Sequence, residues 1–350
     1  MADTEAPEEL TARFEELGAL EAEFEDAELE IIRKAEEIHA PLYKKRAEYI
    51  AKIPHFWSLV LEQAPQEIDT FIQPTDSKVF AECLDTLEVS RFELDDPKGS
   101  PRSFSLKFGF KDNDYFEDQV LEKKFWFRKT RDWAGLVSEP VKINWKKGKD
   151  LTAGLSEAAY KLGEMRKKNA IDTSSAEARK KETETEEYKQ LTEKIQTVTD
   201  ASVSFFCLFS FVSGFRWVSA EENEKTIKED NERLEKIRRG EKVEDDDEDD
   251  EEDDVDYQES EVFPGGDEVA TLIAEDMWPN AIKYYKGTFE EADDEDLSDL
   301  DEIMDDSDDD DRVQEVESDD DDNEEVDIRA LVGKGRKSTQ EPPAKKQRKA

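Results

Sequence analysis

The sequence predicts an α+β fold: a long N-terminal helix, then a domain built on a four-stranded antiparallel sheet covered by helices, with acidic segments outside the core. Three observations predict it. Apolar residues recur every seven positions from Leu10 to Tyr49; the period then changes to two between residues 87 and 145; and the negative charge is concentrated in two windows that contain almost nothing to bury.

The helix comes first. Leu10, Leu17, Phe24, Ile31 and Ile38 form one row at heptad spacing. Phe14, Glu21, Glu28, Ala35, Leu42 and Tyr49 form a second. Two such rows describe a helix that packs against another helix; Pro41 removes a backbone bond and is expected to kink it. If continuous it would span roughly 65 Å at 1.5 Å per residue. That exceeds what a domain of this size needs for its own core. The expected partner is therefore the same helix of a second copy, with Leu10, Phe14, Leu17, Phe24, Ile31, Ala35, Ile38 and Leu42 as the dimerisation seam.

Ile53-Pro54 closes this helix, and short amphipathic helices are expected in FWSLVLEQAP, IDTFI and SKVFAECLDTL. Strands follow at LEVSRFEL (87–94), RSFSLKFGF (102–110), VLEKKFWFRKT (120–130) and VSEPVKINW (137–145). In the second of these, Phe104, Leu106, Phe108 and Phe110 share one face. Short connections make the four a meander with helices on one side. From 152 to 200 the chain is polar and Lys/Glu-rich, as expected of exposed helix or a mobile excursion. VSFFCLFSFVSGF (203–215) returns as a short apolar helix, and GGDEVATLIAEDMWPNAIKYY (265–285) as a helix capped by Asp267 or Glu268 and halted at Pro279.

Charge divides the rest. The chain has 350 residues and a net charge of −44. Residues 241–261 carry fifteen acids against one lysine, and 290–327 carry twenty-four against one arginine. Such runs repel themselves and act as interaction tails. The densest is Glu244, Asp245, Asp246, Asp247, Glu248, Asp249, Asp250, Glu251, Glu252, Asp253 and Asp254, an arm suited to a cationic partner. The bland alternative is a solubilising bristle. The tip reverses sign: Lys345, Lys346, Arg348 and Lys349 follow Pro342-Pro343 and suit a nuclear import signal. The expected division is 1–9 as a disordered N-terminus, 10–53 as the dimerisation helix, and 54–290 as the α+β domain, with a polar excursion at 152–200 and an acidic insertion at 216–262. A disordered acidic tail at 291–330 and a basic tail at 331–350 complete it.

Enzymatic chemistry finds little support. There is no Gly-rich phosphate loop, no HExxH and no GxSxG. His39 and His55 have no evident triad or ligand set, and acid runs in water are the opposite of the dry site that paired-carboxylate catalysis needs. Two distant cysteines, Cys83 and Cys207, argue for a reducing compartment and against a thiolate metal site. The acidic start has no apolar h-region, and VSFFCLFSFV is far short of a bilayer span. The expectation is a soluble intracellular protein that is not an enzyme, with no cofactor, no metal and no membrane contact. Direct DNA binding is expected to be weak or absent, with WKKGKD (145–150) as the one patch where a phosphate could dock.

Several stretches resemble the nucleosome assembly protein family, nearest its SET (template-activating factor) branch. They are AEEIHAPLYKKRAEYIAKIPHFW (35–57), FGFKDNDYFEDQVLEKKFWF (108–127), VKINWKKGKDL (141–151), SFFCLFSF (204–211) and EDMWPNAIKYY (275–285), in the family's order and covering about 10–290. The resemblance implies a headphone-shaped homodimer whose long helices carry α+β "earmuff" domains. It implies a histone chaperone that binds core histones on the earmuff underside and acidic tails, and promotes nucleosome assembly and chromatin remodelling without ATP hydrolysis. Carried over by position, the underside comprises Lys147, Lys149, Cys207, Ser210, Asp267, Glu268, Glu275 and Asp276. The alternative reading is a regulatory scaffold that modulates a histone acetyltransferase or a phosphatase. Either role places the protein in the nucleus, with shuttling to the cytoplasm open.

Overall fold

The computed structural model describes residues 7–198, 203–241 and 259–289. Helix α1 runs Pro7–Ile50 without a break at Pro41. It ends in a turn, in which Ile53 N donates to Ile50 O at 2.8 Å, and the chain enters the domain through His55 in the left-handed region (φ 58°). Helices α2 (Phe56–Glu62), α3 (Gln66–Asp69) and α4 (Pro74–Cys83) follow. Pro74 opens α4, and its Gln73–Asp76 capping box satisfies first-turn N–H groups that a helix leaves orphaned.

The sheet is a four-stranded antiparallel meander in the order β1-β2-β3-β4, as the sequence predicts: β1 Leu84–Ser90, β2 Phe104–Phe110, β3 Val120–Lys129 and β4 Ala134–Ser138. Two strands are shifted from the expected positions. β1 begins at Leu84, directly after α4, so LDT belongs to the strand and not to the helix before it. β4 ends at Ser138. Pro140 has no N–H to give the ladder, and Val141 N donates instead to Phe209 O at 2.7 Å. Beyond it, Trp145 forms an isolated bridge with Phe116, outside the four strands. Nor is β2 half-exposed. Six of its seven residues are buried: beside the inward Phe104, Leu106, Phe108 and Phe110, the outward Ser105 and Gly109 are small and are covered by Ser90 and Thr86 of the neighbouring strand, while Lys107 stays partly open.

The polar 152–200 stretch is not an excursion. It forms α5 (Leu155–Lys168), α6 (Ala176–Glu182) and α7 (Glu186–Thr197). Leu155, Ala159, Leu162, Tyr188 and Leu191 enter the main core. The apolar run after it is a short 3₁₀ helix, Phe205–Phe209, with every residue buried. Asp76, itself fully buried, joins this segment to α4. Its carboxylate accepts from Ser204 Oγ (2.6 Å), Phe205 N (2.7 Å) and Gln73 N (3.1 Å). Burial raises its pKa, opposed by these three hydrogen bonds.

The 216–262 insertion opens with a helix that the charge pattern conceals, α8 (Ala220–Arg238), capped by Ser219 Oγ accepting from Glu222 N. Near the end of the described chain, α9 (Gly266–Leu272) starts from Gly265 at φ 73°, so the cap is this glycine rather than Asp267 or Glu268. It continues as a π-turn, Ile273–Met277. The chain turns at Pro279 and resumes as a helix over 281–289 (α10).

Candidate functional site

Two features of α1 organise the surface. Phe14, Leu17, Phe24, Ile31, Ile38 and Leu42 are 54–66% exposed, with Leu20 and Tyr49 beside them. This is a continuous apolar stripe along a helix whose other flank faces the domain. Ala35 is half-buried, and the side chain of Leu10 lies outside the described residues. Toward the C-terminal end, the opposite flank is locked into the domain. Ile50 joins the core with Tyr43 packed on it, and the Arg46 guanidinium lies 4.3 Å from the Trp278 ring centroid and 4.8 Å from that of Tyr43. Arg46 Nη1 donates to Trp278 O (2.6 Å) and Pro279 O (3.0 Å), and Trp278 Nε1 donates to Leu87 O (2.9 Å). One π-turn thus ties α1 to the edge strand β1.

The residues expected on the underside separate into three groups. Lys147 and Lys149 are exposed on a loop turned by Gly148 at φ 75°. Lys146 N donates to Tyr115 O (2.8 Å), and Lys149 Nζ sits 5.6 Å from the Tyr115 ring centroid. Asp267 and Glu268 occupy the first turn of α9, and Glu275 and Asp276 the π-turn that extends it. Burial raises the pKa of Asp267, with Glu268 adding to the rise. Glu275 is already paired with Arg91 at 3.1 Å, and Asp276 accepts from Asn280 Nδ2 (2.8 Å) and Tyr284 Oη (2.6 Å). Glu268 remains exposed.

Cys207 and Ser210 are the third group, and the structure corrects them: both are 0% exposed, so neither side chain reaches the surface. The 3₁₀ segment packs between sheet and helices because its phenylalanines must be buried, and it takes its neighbours inside. Burial pushes the Cys207 thiol well up and the Cys83 thiol to about 12. Ser210 O instead accepts from Lys123 Nζ at 2.5 Å, and Glu139 O accepts from the same ammonium at 2.7 Å. Lys123 is a fully buried cation whose pKa desolvation drives far down.

The arm Glu244–Asp254, the acidic tail after 289 and the basic tip lie outside the described residues. The described chain on either side of the first is anchored: α8 ends just before Gly240, which turns at φ 70°, and Val262 N donates to Phe211 O at 2.8 Å beside the buried Phe263. Among the described residues no cluster could hold a metal ion, and no helix is long and apolar enough to cross a membrane.

Residues 8–288 match the nucleosome assembly protein (NAP) family. The chain belongs to that family. A Schizosaccharomyces pombe protein provisionally named as a nucleosome assembly protein is 37% identical over 154 residues, 41% of this chain and 61% of its own length. The Drosophila melanogaster protein SET is 32% identical over 173 residues, 48% of this chain and 60% of its own length. The matched segments thus span about three fifths of these curated relatives. A solved structure of Ccp1 (a mutant form) aligns over 81% of this chain and 99% of its own, at 23% identity and a TM-score of 0.48. The Vps75 histone chaperone aligns over 79% and 98%, at 22% identity and a TM-score of 0.44.

Within this NAP chain, sequence reasoning missed the Arg46–Trp278 contact and α8. The first had a signal: Tyr43, Arg46 and Ile50 fall on one helical face. The second had a weaker one, since Ile227, Leu234 and Ile237 are nearly lost among charges.

Proposed function

We propose that this NAP-family chain is a homodimeric histone chaperone. It holds core histones by charge shielding and surface complementarity, without nucleotide hydrolysis, and yields them to DNA in nucleosome assembly. The observation that carries this reading is the tethering of the acid run. Eleven consecutive carboxylates lie in sequence between two segments that the fold anchors, α8 before them and Val262 after them, so their charge is linked to the folded domain on either side. Carboxylates at that density compete with phosphates for Lys and Arg and speed capture of basic partners. Lys147, Lys149, Asp267, Glu268, Glu275 and Asp276 are the surface residues proposed to meet the histone. Lys345, Lys346, Arg348 and Lys349 are proposed to direct nuclear import.

The apolar stripe supports the dimer and its orientation. Phe24 and Ile38 lie seven residues either side of Ile31, and Leu20 and Leu42 lie eleven. Phe14 and Tyr49 lie seventeen and eighteen residues away. A stripe symmetric about its middle meets its own copy running antiparallel, with Ile31 at the two-fold axis.

The test is sedimentation of the protein alone and with purified core histones, at near-physiological and high salt. A dimer that binds histones, and binds them less tightly when residues 244–254 are changed to Asn/Gln, is the expected result. A dimer that ignores histones overturns the chaperone reading in favour of a scaffold for a histone acetyltransferase or a phosphatase. A monomer overturns the seam.

A further inference from the structure

The α1 rod meets the domain through two main sets of contacts of unlike chemistry, with Arg33 Nε donating to Leu94 O at 3.3 Å between them. The C-terminal contact is tight: Ile50 is buried, Arg46 sits among Tyr43, Trp278 and Trp57, and both carbonyls at the Trp278-Pro279 corner are satisfied by its guanidinium. The contact nearer the N-terminus is polar. Glu25 pairs with Arg102 and Lys129 (2.8 Å each), Glu28 with Arg102 (3.1 Å), and Glu23 with Arg238 of α8 (3.1 Å). These side chains are a quarter to two-thirds exposed.

Packing follows the same division. Between the first half of α1 and α8 lies a cleft of about 660 Å³, bounded by Gly18, Ala19 and Ala22 on one side and Ile227, Leu234 and Ile237 on the other. A Cβ added to Gly18 would meet nothing within 4 Å. α8 is itself pinned to the sheet, because Asn223 Oδ1 accepts from Lys129 N at 2.8 Å. The helix therefore belongs to the domain and leans on the rod across a partly empty interface.

We propose that the domain pivots on α1 about the Arg46–Trp278 contact, with the Glu25–Arg102–Lys129 ion pairs acting as a strut that salt or a competing charge can release. The strut pairs are partly open to solvent and so are weakened as the Debye length falls to about 3 Å, near 1 M salt. The Arg46 guanidinium is packed on aromatic rings and bonded to two backbone carbonyls, without a carboxylate partner among the described residues, and is far less sensitive. In a dimer built on α1, this pivot sets the separation of the two domains and lets it adapt to cargo. That consequence rests on the dimeric reading above; the pivot within one chain does not.

The experiment is pulsed dipolar spectroscopy on the full-length protein, with spin-labelled chains diluted into unlabelled ones so that only distances within one chain are read. Cys83 and Cys207 are buried and stay unlabelled. One pair, Lys34→Cys with Asp132→Cys, spans the strut; a second, Lys45→Cys with Asp114→Cys, spans the tight contact. Adding Arg102→Gln and Lys129→Gln, or about 1 M NaCl, is expected to broaden the first distribution and leave the second narrow. Arg46→Gln is expected to broaden both. Two unchanged distributions would show that the strut controls nothing. Broadening of both on loss of the strut would show that no fixed pivot exists, and a narrow second distribution in Arg46→Gln would remove the pivot from Arg46. No histone enters the measurement, so its failure is separable from failure of the chaperone reading.

Discussion

Ile31→Glu tests the self-complementary seam at its centre. Ile31 is 66% exposed in the single chain. Full burial of an isoleucine side chain contributes about 1.5–3 kcal/mol, so covering the exposed two-thirds contributes about 1–2 kcal/mol per copy. At a two-fold axis each substitution acts twice, which gives about 2–4 kcal/mol. The two new carboxylates would also face one another across the axis, adding about 1 kcal/mol at the dielectric of a wet interface. The total of about 3–5 kcal/mol raises the dimer dissociation constant by roughly 10² to 10⁴-fold. Sedimentation velocity over a dilution series reads this directly, with far-UV circular dichroism confirming that the domain remains folded. Lys34→Ala, on an exposed side chain paired only locally with Glu37, serves as the control. An Ile31→Glu protein that sediments as the same dimer throughout the series would refute both the antiparallel pairing and its placement at Ile31.

Other expectations concern the domain. Asp76→Ala leaves three donors at the α4–3₁₀ junction without their acceptor, offset by relief of a buried charge, and should lower stability by about 2–4 kcal/mol in urea unfolding; a loss below about 0.5 kcal/mol would mean that water replaces the carboxylate. Glu93 is opposed by burial, yet Arg128, the Ser103 hydroxyl and Ser100 N hold its pKa below the usual carboxylate value. A depressed native pKa contributes stability above the unfolded value, about 4.3, which is lost as pH falls through the native one. The stability gap between wild type and Arg128→Gln should therefore be widest above about pH 5 and narrow in acid; a gap independent of pH would show that the pair acts only through packing. Cys83 and Cys207, buried and with raised thiol pKa values, should react with a thiol reagent at pH 8 only as fast as the domain opens. Immediate labelling of either would contradict the packed 3₁₀ segment or the end of α4.

The surface that the sequence proposed survives only in part, and the reason differs by residue. Lys147 and Lys149 sit on a turn that Gly148 marks, so exposure was legible there. Cys207 and Ser210 follow the same motif reasoning but lie in a segment whose phenylalanines pull the whole stretch inside. Glu275 is exposed and Asp276 half-buried, and their contacts with Arg91, Asn280 and Tyr284 depend on a π-turn that no local pattern announces.

Wherever neighbours in the chain decide the outcome, sequence alone determined this protein. The heptad rows make α1 and its stripe because 3.6 residues per turn returns every seventh side chain to one face. Alternation makes the meander. Tertiary structure alone decided what distant segments do to one another. It placed Arg46 against Trp278, 232 residues away. It shielded the small outward residues Ser105 and Gly109 of β2, buried Lys123 between two carbonyls, and laid α8 across α1. These outcomes depend on which desolvated groups find partners across the fold, and that is a property of the packed whole rather than of any window along the chain.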